Sequence, residues 1–327
     1  MKKILKFLLK TIAVVFILAN VIVIFHAYKF THFYDIGELK VKTNLQKTGW
    51  DKTKEILFGI NATKQQNTLA DSATQIVKLT TKDNIELEGW YMPVDNAKGT
   101  VCMFHGHGGK KSGNNNEAAE FRKMGFTTFQ LDFRAHGGSK GNTCTIGADE
   151  AEDVKLAYDY IKAKGEKNII LWGISMGAST ITKAINDYDL KPERIILEMP
   201  FGTLSDAVEG RVKMMGLPAQ PVSSMLTFWG GAIHGFWGFN YKPQEYAKKI
   251  TCPTLLQWGA NDPRVTRKEE ETLFANIATT DKKFVIFNNS AHESLCTKEK
   301  EKWVSNVNEF INGAFILITP PVSNNAK

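Results

Sequence analysis

The sequence predicts an α/β fold, a mostly parallel sheet covered by helices on both faces and preceded by an N-terminal membrane helix, and three observations carry this. Strand-length apolar runs alternate with segments of helical periodicity along most of the chain. One of those runs, Ile170-Leu-Trp-Gly173-Ile-Ser175-Met-Gly177-Ala178, passes from a strand through a Gly-x-Ser-x-Gly turn into a helix. Ahead of them, residues 11–28 form an apolar stretch without a single Asp, Glu, Lys or Arg.

That stretch comes first in the chain. A spanning helix needs ~20 mostly apolar residues, which residues 11–28 reach with their flanks. The nearest cleavage site for a signal peptidase follows Ala27, where Phe25 occupies the position that requires a small residue, so an uncleaved anchor over 1–28 is expected. Lys2, Lys3, Lys6 and Lys10 precede the run and only Lys29 follows closely. The positive-inside rule therefore places the rest of the chain on the extracytoplasmic side. Residues 29–74, rich in Lys, Asn, Thr and Gln with a short helix around Lys52 to Phe58, read as a stalk and edge element.

From there to residue 313 the pattern is that of one catalytic domain. Strands are expected at 75–80, 86–93, 100–105, 127–133, 168–173, 194–199, 253–258 and 283–287. Asp149 to Lys164 places Val154, Ala157, Tyr158 and Ile161 at helical spacing, with acids in the first turn and lysines in the last, which suits a helix packed on the sheet. Residues 201–250 interrupt the alternation. Their Met214, Met215, Met225, Phe228, Trp229, Phe236, Trp237 and Phe239 read as a lid with an apolar pocket, as the packing of an insertion, or as a surface that touches the bilayer. A last helix spans about Lys298 to Ile311, and 314–327 with Pro320-Pro321 form a tail.

The turn at Ser175 directs attention to acyl chemistry. Glycines at 173 and 177 permit a corner too tight for side chains, leaving the Ser175 hydroxyl projecting. A serine hydroxyl is a weak nucleophile unless a histidine takes its proton and a carboxylate orients that histidine. Of the seven histidines, His292 alone sits in a loop just after a late strand, Lys283 to Phe287. Asp262, in Gly259-Ala-Asn-Asp262-Pro after the strand ending at Trp258, is the matching acid, with Glu198 at the end of another strand as its competitor. A turn-forming Asp and a solvated loop His are the plain alternatives. Backbone amides of Met176 and of His107, in the glycine-rich turn His105-Gly-His107-Gly-Gly109, are the expected oxyanion donors. That turn is also a plain strand-to-helix connection, and a metal site on His105 and His107 lacks a third ligand at suitable spacing.

With these residues in hand, the chain resembles the α/β-hydrolase superfamily, more narrowly the membrane-anchored bacterial branch related to serine aminopeptidase-like and prolyl oligopeptidase-like hydrolases. The likeness covers most of residues 75–313. It is carried by His105-Gly-His-Gly-Gly109, Asp132-Phe-Arg-Ala-His136-Gly-Gly-Ser139-Lys-Gly141, Gly173-Ile-Ser175-Met-Gly177, Pro253 to Asp262 and Asn289-Ser-Ala-His292-Glu. The resemblance implies an eight-stranded sheet, Ser175 as nucleophile, Asp262 as acid and His292 as base. It implies a structural role for His136, in the turn after the fourth strand, and names no single substrate.

The remaining composition narrows the function. Of the net charge of +7, the four lysines of the first ten residues supply more than half, leaving +3 spread among interspersed acids and bases, which is no phosphate-tracking stripe and argues against a nucleic-acid partner. No cofactor or metal motif stands out. Four cysteines, at 102, 144, 252 and 296, are too few for a disulfide scaffold. Cys102 and Cys252 read as core residues of strands, while Cys144 and Cys296, in loops after strand ends, are expected to bridge after export. The function expected is hydrolysis of a carboxylic ester, thioester or amide of a small acyl substrate through acyl-Ser175. A peptidase or acyltransferase on the same residues is the alternative within that class, and a catalytically silent membrane-tethered interaction protein is the alternative outside it. A haloalkane dehalogenase is disfavoured because serine, not a carboxylate, occupies the turn.

Overall fold

The computed structural model describes residues 1–39, 42, 46–69 and 74–313; the tail expected over 314–327 lies outside them. In chain order the strands are β1 (Phe33–Tyr34), β2 (Ala62–Thr63), β3 (Gln75–Thr80), β4 (Glu86–Met92), β5 (Thr100–Phe104), β6 (Thr127–Leu131), β7 (Ile169–Ile174), β8 (Arg194–Glu198), β9 (Thr254–Gly259) and β10 (Lys282–Phe287). The helices are α1 (Lys2–Thr31), α2 (Gly49–Phe58), α3 (Asn115–Lys123), α4 (Glu150–Ala163), α5 (Met176–Tyr188), α6 (Leu204–Met214), α7 (Val222–Ile233), α8 (Pro243–Tyr246), α9 (Arg267–Asn276), α10 (Leu295–Lys298) and α11 (Lys300–Ile311). All eight strands expected from the sequence occur within one or two residues of their expected ends. They form one sheet in the order β10-β9-β8-β7-β5-β6-β4-β3. Only the β3–β4 and β4–β6 pairs are antiparallel.

The sheet separates two apolar layers, and the period of two along each strand decides which residue faces which. Cys102, Phe104, Leu171, Ile195 and Leu197 pack on one face with residues of α4 and α5. Val101, Met103, Ile170, Trp172 and Ile196 pack on the other with residues of α3 and α11. This division overturns the expected Cys144–Cys296 bridge. Cys144 belongs to the first layer, with its Sγ 3.7 Å from Met176 Sδ, and Cys296 belongs to the second. Both are free and buried, because the sheet itself stands between them and a disulfide needs Cα atoms within about 7 Å. Cys252 also differs from expectation, lying half-buried just before β9 rather than within it.

Helix α1 is continuous over 30 residues, and the most apolar 18-residue window within it has a mean hydropathy of 2.6 with only 6% of it buried against the protein. Its buried residues, Val23, Ala27 and Thr31, recur every four positions near the C-terminal end and so form one stripe. That end docks on α7, where Trp229 Nε1 donates to Asn20 Oδ1 at 2.8 Å and His234 Nε2 meets Thr31 Oγ1 at 2.8 Å. Beyond it, β1 and β2 make a separate parallel pair and do not extend the large sheet. Lys64 then reaches the Ser139 carbonyl at 3.0 Å, tying this stretch to the body that carries the large sheet.

Candidate active site

Strand β7 turns into α5 through Ser175, whose φ of 54° and ψ of −117° lie in a region that side chains rarely adopt. The neighbouring glycines explain why the corner closes. A Cβ at Gly177 would collide with the Phe104 carbonyl at the end of β5, and one at Gly173 would stand 2.7 Å from the Ala178 amide nitrogen. The Ser175 amide donates to the Glu198 carbonyl at 2.7 Å, and its carbonyl accepts from Ser179 at 3.0 Å, opening the helix. The corner sits where sheet order reverses, because β5 and β6 run one way from it and β7 and β8 the other. In open α/β sheets ligands settle at the carboxyl ends of strands at such a point.

The structure brings Ser175, His292 and Asp262 into one hydrogen-bonded chain. His292 Nε2 lies 2.8 Å from Ser175 Oγ, and His292 Nδ1 lies 2.7 Å from Asp262 Oδ2. Since a carboxylate only accepts, Nδ1 carries the proton and Nε2 is left to accept from the serine hydroxyl. Asp262 is held in turn by the backbone amides of Arg264 and Val265, which donate to Oδ1 at 2.7 and 3.0 Å. The Asp262 side chain is fully buried and that of His292 is 8% exposed. The loop carrying His292 is pinned by Glu299, whose Oε1 accepts from the Asn289 amide at 3.0 Å and the Ser290 hydroxyl at 2.7 Å. Glu198, the competing acid, is elsewhere. Its Oε1 accepts from the indoles of Trp172 at 2.8 Å and Trp303 at 2.6 Å, and burial, with Glu117 nearby, pushes its carboxyl up to about 8.

The loop after β5 is supported by neutral imidazoles. Burial lowers the pKa of His105 and, more strongly, of His107, and burial together with His105 brings His136 down to about 4. His136 Nδ1–H donates to the Arg134 carbonyl at 2.8 Å, and its Nε2 accepts from the Gly108 amide at 3.0 Å. His105 Nδ1–H donates to the Gly106 carbonyl at 2.8 Å while its Nε2 accepts from the Phe133 amide at 3.2 Å. Each ring spends both nitrogens on the backbone. Among the described residues the amides of His107 and Met176 have no hydrogen-bond acceptor within the protein.

Comparison with known proteins bears on the fold. The serine aminopeptidase family S33 matches residues 95–234. The esterase Pf2001 of Pyrococcus furiosus superposes with a TM-score of 0.65 at 22% identity, covering 76% of this chain and 97% of that one. The chain has the α/β-hydrolase fold. A solved membrane phospholipase A described as a bacterial virulence factor has the same fold, with a TM-score of 0.53 at 18% identity over 74% of this chain and 86% of the other. By sequence the chain is 23% identical to the uncharacterized protein YfhR of Escherichia coli K12 over 67% of its own length and 74% of that protein. It is 25% identical to the lysophosphatidylserine lipase ABHD12 of Rattus norvegicus over 57% of this chain and 47% of that protein.

Ser175 lies between two spaces. On one side a narrow slot that it shares with His292 and Phe30 leads toward a cavity of about 360 Å³, walled by Ala27 and Phe30 of α1, Val208 and Met215 at α6, and Leu226 of α7. On the other is a vestibule of about 190 Å³ bordered by Gln65, His105, Lys110 and Asn114. Arg211 and Arg264 border all three spaces. Phe30, Arg211, Arg264 and Glu299 carry no motif, and sequence reasoning missed them. Phe30 lies just beyond the apolar run, and the two arginines are ordinary in their local sequence.

Proposed function

We propose that this hydrolase cleaves carboxylic esters of apolar acyl groups through an acyl-Ser175 intermediate, with His292 as base and then acid and Asp262 as its orienter. The observation that carries the reading is the unbroken relay from Ser175 Oγ to His292 at 2.8 Å and on to Asp262 at 2.7 Å. Ser175 Oγ attacks the carbonyl carbon while its proton passes to His292 Nε2, and the oxyanion that forms is met by the amides of His107 and Met176. Collapse of the intermediate expels the alcohol, which takes the proton from His292. Water, deprotonated by the same nitrogen, then attacks the acyl-enzyme, and Ser175 leaves with its proton restored as the carboxylic acid departs.

The apolar cavity supports an acyl chain as the group it holds, since its volume falls in the roughly 300–1,000 Å³ range of small-molecule sites and its walls are largely hydrocarbon. Segment 201–250 acts as the lid over it, and the exposed Met214, Met215, Leu217 and Trp237 on this segment give the lid an apolar rim next to α1. With α1 spanning the bilayer and its lysine-rich end in the cytoplasm, residues 29–313 lie outside and the cavity opens at the level of the lipid surface. The lipase and phospholipase names of two similar proteins favour the same substrate class.

A fluorophosphonate probe tests the reading. The intact protein becomes labelled and hydrolyses chromogenic esters of medium acyl length, and Ser175→Ala does neither. Labelling that survives Ser175→Ala, or its absence from folded protein, overturns it. Protease added to the outer face of cells should degrade the catalytic domain; full protection would reverse the assigned orientation.

A further inference from the structure

Two arginines meet beside the nucleophile without an acid to balance them. Arg211 is on α6 and Arg264 follows Asp262 in the loop after β9, and Gly210 lets their backbones touch, since a Cβ there would strike the Arg264 carbonyl. Both side chains border the slot and the vestibule that contain Ser175 and His292. Among the described residues neither guanidinium takes part in an ion pair, whereas Arg134, Arg194 and Arg267 each pair with a carboxylate. Arg211 lies over the Phe30 ring at 5.0 Å, and Arg264 Nε is buried with no acceptor.

This is an expensive arrangement for a protein to keep. Two partly desolvated like charges repel, and a guanidinium presents a planar fork of donors that matches a carboxylate or phosphate. Burial, then the charge of Arg264, draws the Arg211 pKa down to about 10, so it stays charged at neutral pH while bearing the strain of its neighbour. A third donor faces the same space. Asn114, 6% exposed, borders the vestibule with its Nδ2 unpartnered. An anion seated there would satisfy all three groups with charge-assisted hydrogen bonds.

We propose that the vestibule beside Ser175, through Arg211, Arg264 and Asn114, binds an anionic group, phosphate or carboxylate, carried on the alcohol side of the scissile ester, so that the enzyme selects anionic single-chain amphiphiles over neutral ones. This rests on Ser175 being the nucleophile, with the acyl chain in the cavity between α1, α6 and α7. The same arginines are unsuited to a free α-ammonium, which separates this site from that of an aminopeptidase.

The experiment uses the full-length protein in a non-ionic detergent with two substrates that differ in one group, 1-octanoylglycerol and 1-octanoylglycerol 3-phosphate. The quantity read is the ratio of their kcat/KM values. In the wild type the phosphate-bearing ester is favoured by about tenfold or more, through KM, and the advantage shrinks as salt is raised. Arg211→Gln with Arg264→Gln brings the ratio toward one, and the corresponding Lys variants keep an intermediate ratio because charge remains while the fork is lost. A wild-type ratio near one, or a ratio that the Gln variants leave unchanged, overturns the proposal. Fluorophosphonate labelling of each variant keeps the two readings apart, because a lost preference with labelling intact concerns the vestibule, whereas an unlabelled wild type strikes the nucleophile itself. Inorganic phosphate supplies the last arm. Competition with the neutral ester that disappears in the Gln variants supports a site open to free anions, and a retained ratio without competition supports a group that must arrive attached to the acylated alcohol.

Discussion

The His107 ring lies flat on that of Phe30, with centroids 4.4 Å apart and planes 19° from parallel, and its Nε2–H donates to the Phe30 carbonyl at 3.1 Å. Phe30 is in the last turn of the long apolar helix, and the His107 amide is one of the two expected oxyanion donors. The helix that would hold the protein in a bilayer is thereby in direct contact with the loop that would stabilise the transition state.

Phe30→Ala is accordingly expected to lower kcat/KM for a soluble ester by about tenfold, the effect of ~1.4 kcal/mol in transition-state binding. The variant removes the stacking surface of His107 and one wall of the slot, while leaving Ser175, His292 and Asp262 in place. Steady-state kinetics in detergent reads it. Unchanged kinetics would mean that α1 only tethers.

Asp262→Asn and Glu198→Gln separate the two carboxylates that the sequence offered. Asn at 262 can present its amide N–H to His292 Nδ1 and favour the wrong tautomer, so kcat is expected to drop roughly a thousandfold or more. Glu198→Gln keeps a side-chain acceptor for the indoles of Trp172 and Trp303 and leaves the backbone carbonyl that accepts from the Ser175 amide in place. Its kcat should stay within about threefold of wild type. Equal losses would make the acid assignment untenable.

The sheet was legible because most of its strands are short apolar runs closed by glycine or a polar turn, and Thr100–Phe104 and Thr254–Gly259 are plain examples. The candidate nucleophile, base and acid were legible for a related reason, since each sits at a strand's carboxyl end, where chain order and turn chemistry both leave marks. The docked end of α1 was not. Its Val23, Ala27 and Thr31 stripe is embedded in residues apolar on every side, so periodicity cannot say which face packs. The Cys144–Cys296 pairing failed because loop position says nothing about which side of a sheet a loop lands on. Arg211 and Arg264 come from segments 53 residues apart that meet only in the folded chain.

All four thiols are expected to be free. Intact mass after denaturation in iodoacetamide without reductant should show four adducts on Cys102, Cys144, Cys252 and Cys296. Under native conditions Cys102, at the centre of the sheet with its pKa raised by burial, should be unreactive over the same period. Two adducts after denaturation would restore the bridge that the sheet is found to prevent.

The carboxyl of Glu198 makes stability depend on pH. It is fully buried, accepts two indole hydrogen bonds on Oε1 and has no partner on Oε2, an arrangement that suits the protonated acid. Its folded pKa of about 8 is above the ordinary glutamate value, so the folded state binds more protons than the unfolded chain between pH ~4.5 and 8. The stabilisation is complete below the lower of these values and is lost as pH rises through the upper one. Glu198→Gln cannot ionise and should flatten that decline. Thermal unfolding of the detergent-solubilised protein at pH 5 and pH 8 is the measurement, with the wild type losing on the order of a few kcal/mol across the interval beyond any loss in the variant. Parallel curves for the two proteins would show that Glu198 is ionised in the fold at neutral pH, with a charge on the apolar layer beneath Ser175 that Trp172 and Trp303 would then be holding.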